Sequence, residues 1–113
     1  MSTKLVIIIL NQPEHLEDVL EGFLEIGVAG ATVIDTMGMG RILSHDVPIF
    51  AGLRRVFPSL SPDNKTIMLV TQEPMIEDII AVVEDVCGSL DEPGAGIAIA
   101  IPIDFVRGLR PGL

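Results

Sequence analysis

The sequence predicts an α+β fold with the element order β-α-β-β-α-β and an unusually long loop between its second and third strands. Three observations lead there. Four short runs rich in Val, Ile and Leu are spread along 113 residues. Two of the segments between them place apolar residues at helical spacing. The stretch between the second and third runs, roughly 42–65, far exceeds an ordinary connection, which marks it as functional when the elements on both sides read clearly.

Lys4-Leu-Val-Ile-Ile-Ile-Leu10 is an unbroken aliphatic run, as expected for an inner strand buried on both faces. Asn11-Gln12-Pro13-Glu14 carries helix-start signals: a capping-type Asn, Pro in the first turn, and Glu14 three residues on. Leu16, Val19, Leu20, Phe23 and Leu24 then form an apolar stripe opposite Glu14, Glu17, Asp18, Glu21 and Glu25, and Gly27 closes the helix. Ala31 to Met37 is the second strand, bounded by Gly30 and Gly38, and Thr66 to Val70 is the third. Glu73-Pro74 opens a second helix with Ile76, Ile79, Ile80, Val83 and Val86/Cys87 on its apolar side, ending at Gly88. Ile97 to Ile101 alternates Ile and Ala as the fourth strand. This order is the split βαβ or ferredoxin-like arrangement: a four-stranded antiparallel sheet with two helices on one face. Strands one and four are apolar throughout, so the uncovered face is expected to pack on another subunit.

A single domain over 1–113 is the expectation for this length. Hydrophobic residues make up 49% of the chain, more than one small core needs, which again favours an oligomer. The net charge of −9, from sixteen acidic and seven basic residues, argues against a nucleic-acid role. No stretch is long enough for a membrane span, and the run Leu5 to Leu10 is too short for a signal-peptide core. Cys87 has no partner for an internal disulfide, so the cytoplasm is the expected location, and its place on an apolar helix side makes it a small core residue.

Candidate site residues lie in the connections. Gly38 and Gly40 let the backbone adopt φ > 0 or approach a ligand closely, and Arg41 beside them can hold a phosphate or carboxylate; a strand end with a solvent arginine is the plain alternative. Inside the long loop, Ile49, Phe50, Leu53, Val56 and Phe57 fall at the spacing of one or two helical turns, with Arg54 and Arg55 opposite. Asp46 is placed to cap these turns and Pro58 to stop them. They form either a partner-binding surface or an extension of the core. His45 lacks a nearby second histidine, so no metal site is expected. The connection Ser89 to Gly96, with Gly94 and Gly96, either wraps a ligand or makes a turn. No carboxylate pair, Ser/His/Asp order or Cys/His cluster stands out, so no enzymatic chemistry and no catalytic residue are expected.

With these pieces in order the chain resembles the PII-like proteins, relatives of the nitrogen-regulatory PII signalling family. The resemblance rests on Gly30-Ala-Thr-Val-Ile-Asp-Thr-Met-Gly-Met-Gly-Arg41, the long loop, and Gly96-Ile-Ala-Ile-Ala-Ile-Pro-Ile-Asp-Phe-Val-Arg107. It implies a homotrimer with adenine nucleotides in its inter-subunit clefts, and a long T-loop that docks on transporters, enzymes or regulators. It places Gly38, Gly40 and Arg41 at the T-loop base, Arg107 at a phosphate-contacting arginine, and Ser89 to Gly96 at the phosphate-wrapping loop. That loop departs from the family pattern: Asp91-Glu92-Pro93 and Gly96 stand where nitrogen-regulatory members carry a Gly-rich stretch ending in lysine. Leu109 stands at a second C-terminal arginine, with Arg110 next to it. Two carboxylates there repel a triphosphate. The chain also has no tyrosine, which excludes control by tyrosine modification.

The functional expectation is therefore a trimeric signalling protein that senses a small ligand, an adenine nucleotide or related anion, and regulates a partner through its T-loop. The alternative is a ferredoxin-like amino-acid or metal-binding module without nucleotide sensing. In the amino-acid version Asn11-Gln12-Pro13 would be the ligand turn.

Overall fold

A computed structural model describes residues 2–46 and 63–109. Its elements are β1 (Thr3–Leu10), a 3₁₀ turn (Pro13–His15), α1 (Leu16–Glu25), β2 (Thr32–Thr36), α2 (Met39–Asp46), β3 (Asn64–Gln72), a 3₁₀ turn (Glu73–Met75), α3 (Ile76–Cys87) and β4 (Gly96–Pro102). The four strands form an antiparallel sheet in the order β2-β3-β1-β4, with β1 and β3 inside as their aliphatic runs require. Both long helices lie on one face of it.

The register decides which side chains meet those helices. Val6, Ile8 and Leu10 of β1 share that face with Ile67 and Leu69 of β3, and together with Val19 and Phe23 of α1 and Ile79 and Val83 of α3 they form the buried core. Cys87 is half-buried and packs against this core. Gly22 sets how closely the helices approach, since a Cβ built there would stand 2.5 Å from Val82 Cγ1. Leu24 does not join the stripe expected of it: 61% of its surface is exposed, because it falls beyond the arc that faces the sheet.

The opposite face is apolar and uncovered. Pairing aligns Ile34, Thr66, Ile9 and Ile97 in one row, Thr32, Met68, Ile7 and Ile99 in the next, and Val70, Leu5 and Ile101 in a third. The alternation in β4 puts its small Ala98 toward the helices and its three isoleucines on this open face, where Ile97, Ile99 and Ile101 are 54%, 43% and 42% exposed.

Three local expectations are corrected. Asn11 does not cap the first helix: the 3₁₀ turn begins at Pro13 without a side-chain cap, and the Asn11 amide is engaged elsewhere. The connection after β2 is not irregular from its start, because α2 runs through Gly40 and Arg41 to Asp46. Met39, Ile42 and Leu43 already stand at helical spacing, but the two glycines, poor helix formers, hide that signal. Gly38 and Gly40 consequently do not use positive φ; the described glycines that do are Gly27, Gly88, Gly94, Gly96 and Gly108.

Candidate functional site

Antiparallel pairing brings three of the singled-out connections to one end of the sheet. The last residue of β2, Thr36, pairs with the first of β3, Asn64; the last of β1, Leu10, pairs with Lys65 and with the first of β4, Gly96. The start of α2, the turn Asn11-Gln12 and the loop 89–95 therefore line one edge, roughly 14 Å across from β2 to β4 at normal strand spacing. Gly38, Gly40, Arg41, Gly94 and Gly96 all lie here.

At the β2/β3 side, α2 opens directly after the strand, with the Ile42 N–H donating to Gly38 O at 3.2 Å. The first N–H groups of a helix have no partner within it and favour an anion. Arg41, in that first turn, reaches back across the base of the long loop: its Nε lies 3.4 Å from Asp63 Oδ1, and its Nη1 meets the Met37 sulfur. Below this pair the strand ends are tied by hydroxyl and amide groups. The Thr36 hydroxyl contacts both the Asn64 side-chain carbonyl and the Thr66 hydroxyl, the latter at 2.8 Å. Lys65 pairs with Asp35 across the same strands. Asn64 and Thr66 are the buried polar residues among the described ones, and this network satisfies both.

At the β1/β4 side, Asn11 Nδ2 donates to Gly94 O at 3.0 Å and so fixes the loop 89–95 against the first turn. The Gln12 side-chain oxygen beside it is buried with no hydrogen-bond partner. Gly96 admits no side chain: its φ is +144°, and a Cβ would stand 2.6 Å from Ile9 O. At the end of α3 nearby, burial and secondarily the Glu14 carboxylate push the Cys87 thiol above its ordinary range, so it is held as the inert neutral form.

Arg107 stands apart from the others. It follows the far end of β4, where the Ile103 N–H donates to Thr3 O at 3.1 Å, about 20 Å from Gly96 along a seven-residue strand. Its guanidinium lies 5.6 Å from the centroid of the exposed Phe105 ring. The loop residues Ile49, Phe50, Leu53, Arg54 and Arg55 lie outside the described residues, as do Pro58 and Arg110.

Sequence reasoning missed Asp63, Thr36, Asn64 and the tether from Asn11. Their partners are far apart in the chain and become neighbours only through strand pairing. No helix of the described residues is long and apolar enough to cross a membrane, and no three His, Cys, Asp or Glu among them gather as a metal-binding group.

The profile of the family described as nitrogen regulatory protein P-II matches residues 3–112. No curated protein sequence matches the chain. Among solved structures, PII of Arabidopsis thaliana bound to citrate superposes with a TM-score of 0.62 at 19% identity, over 90% of this chain and 78% of that one. A functionally unknown protein from Pediococcus pentosaceus ATCC 25745 superposes with a TM-score of 0.65 at 18% identity, over 96% of this chain and 99% of that one. At such identities these likenesses concern the fold.

Proposed function

We propose, from the premise that the chain belongs to the nitrogen regulatory protein P-II family, that it is a ligand-sensing regulator made of one PII-like domain over 1–113. Members of this family are signalling regulators rather than enzymes and are typically trimers. The ligand is a small anion of the adenine-nucleotide class, held at the sheet end where α2 begins. The observation that carries this reading is the placement at one end of the sheet of the α2 start, with its Arg41, and of the loop 89–95, two segments far apart in sequence. The Arabidopsis relative, bound to the tricarboxylate citrate, is compatible with a fold that accepts small anions.

The site is completed between subunits. The open sheet face, with Ile97, Ile99 and Ile101 exposed, is what a neighbouring copy would cover, and a second copy is also the means by which Arg107 could approach Arg41. The long loop, with Ile49, Phe50, Leu53, Arg54 and Arg55, then carries the signal to a partner protein, a transporter or an enzyme, in the cytoplasm.

The test is titration calorimetry with AMP, ADP, ATP, cyclic nucleotides, citrate and amino acids, on the wild type and on Arg41→Ala. A nucleotide that binds the wild type and loses about tenfold or more in the variant, the worth of one charge-assisted hydrogen bond, supports the reading. No nucleotide binding, with an amino acid binding instead, would replace it with the amino-acid module.

A further inference from the structure

We infer that the site selects nucleotides carrying a single phosphate and discriminates against ATP, because the loop 89–95 is closed on itself and presents carboxylates where a polyphosphate chain would lie. This deepens the nucleotide-sensing reading above and rests on it. A loop that wraps phosphates must offer them unengaged backbone N–H groups. Here four of those groups are already taken. The Leu90 N–H donates to Glu84 Oε2 at 2.8 Å and the Asp91 N–H to Ser89 Oγ at 3.2 Å. The Glu92 N–H donates to Ser89 O at 3.1 Å and the Ala95 N–H to Glu92 O at 3.2 Å, while Pro93 has no N–H to give.

The loop is also pinned at its β4 end, so it cannot readily turn its amides outward. Ala95 is buried, Gly96 sits against Ile9 O with no room for a Cβ, and Gly94 O is held by Asn11. What the loop shows to solvent instead is Asp91 and Glu92. With the terminal phosphate at Arg41, the inner phosphates of ADP and ATP would lie toward these carboxylates and be repelled by them. On the opposite side Arg41 offers one planar guanidinium, suited to gripping one phosphate bidentately in exchange for Asp63. The arrangement matches one anionic group at the α2 end and an uncharged remainder toward the loop.

Calorimetry with AMP, ADP and ATP in magnesium-free buffer, on the wild type and on the double variant Asp91→Asn/Glu92→Gln, tests this. The wild type should bind in the order AMP, ADP, ATP. In the variant the affinity for ATP should rise about fivefold to tenfold, the scale of two exposed charge interactions, while that for AMP moves less than about twofold. ATP binding tightest in the wild type, or an unchanged AMP/ATP ratio in the variant, overturns the selectivity and leaves nucleotide sensing standing. Binding of no nucleotide by either protein, both melting cooperatively, overturns the sensing reading and this inference with it.

Discussion

Arg41 and Asp63 face each other across the two ends of the long loop, with 27% and 64% of their side chains exposed. At such exposure the attraction is worth at most about 1 kcal/mol, so a bound anion can displace Asp63 at small cost. Asp63→Asn should therefore lower the melting free energy by less than about 1 kcal/mol while tightening the binding of a monophosphate ligand, both read in one set of thermal-shift titrations. Weaker ligand binding in Asp63→Asn would show that the carboxylate orients the guanidinium instead of competing for it. Cys87 behaves differently, because its environment disfavours charge. Its folded-state value is raised by burial and then by Glu14, so the folded chain holds the thiol proton more tightly than the unfolded chain does. That contribution is complete below the unfolded thiol's range and is lost as pH rises through the raised folded value. Denaturant midpoints measured from neutral to alkaline pH should fall more steeply for the wild type than for Cys87→Ala, and alkylation of the folded protein at pH about 8 should be slower than of the unfolded chain.

Gly22 shows how an element's composition answers to packing instead of to its own propensity. A glycine inside a helix costs about 1 kcal/mol relative to alanine, so Gly22→Ala would stabilise α1 taken alone. In the folded protein the new methyl would stand 2.5 Å from Val82 Cγ1, and a β-branched side chain facing a helix has little freedom to withdraw. We expect Gly22→Ala to destabilise by about 1–3 kcal/mol in chemical denaturation, and Val82→Ala in the same chain to recover part of that loss. Additive effects of the two substitutions would mean that the helices do not touch there. The helices also show why element types were readable while some of their ends were not. The apolar spacing of Val19 with Phe23 and of Ile79 with Val83 is a property of the chain itself, and these are the side chains that end up buried. Asn11, by contrast, has the chemistry of a cap and the position of one. Its partner became Gly94 because β4 pairs beside β1 and carries the loop to it.

For the whole molecule the open sheet face is the feature with the largest consequence. Three isoleucines of an edge strand point away from the core, flanked by Leu5, Ile7 and Ile9 of the neighbouring strand. Covering each such side chain is worth about 1.5–3 kcal/mol. Ile99→Lys should therefore leave the melting of the monomer fold in place while shifting the mass measured by light scattering from trimer toward monomer. Nucleotide binding should weaken with it, since the proposed site draws Arg107 from the neighbouring copy. A monomeric wild type would refute the assembly directly.

Strand number, the two long helices and the α+β class followed from period and composition, because burial of an apolar stripe is decided locally along the chain, whereas α2 was missed. Glycine and arginine at the loop base, and the final arginine, were visible as residue types. Their distances were not. That Arg41 faces Asp63, that Asn11 holds Gly94, that four N–H groups of 89–95 are already engaged, and that Arg107 follows the opposite end of β4 are outcomes of register and strand order. The same alternation of Ile and Ala in β4 would read identically with either face toward the helices. Only the pairing with β1 turned the isoleucines outward, because a strand's side chains alternate with period two and one residue of register exchanges its faces.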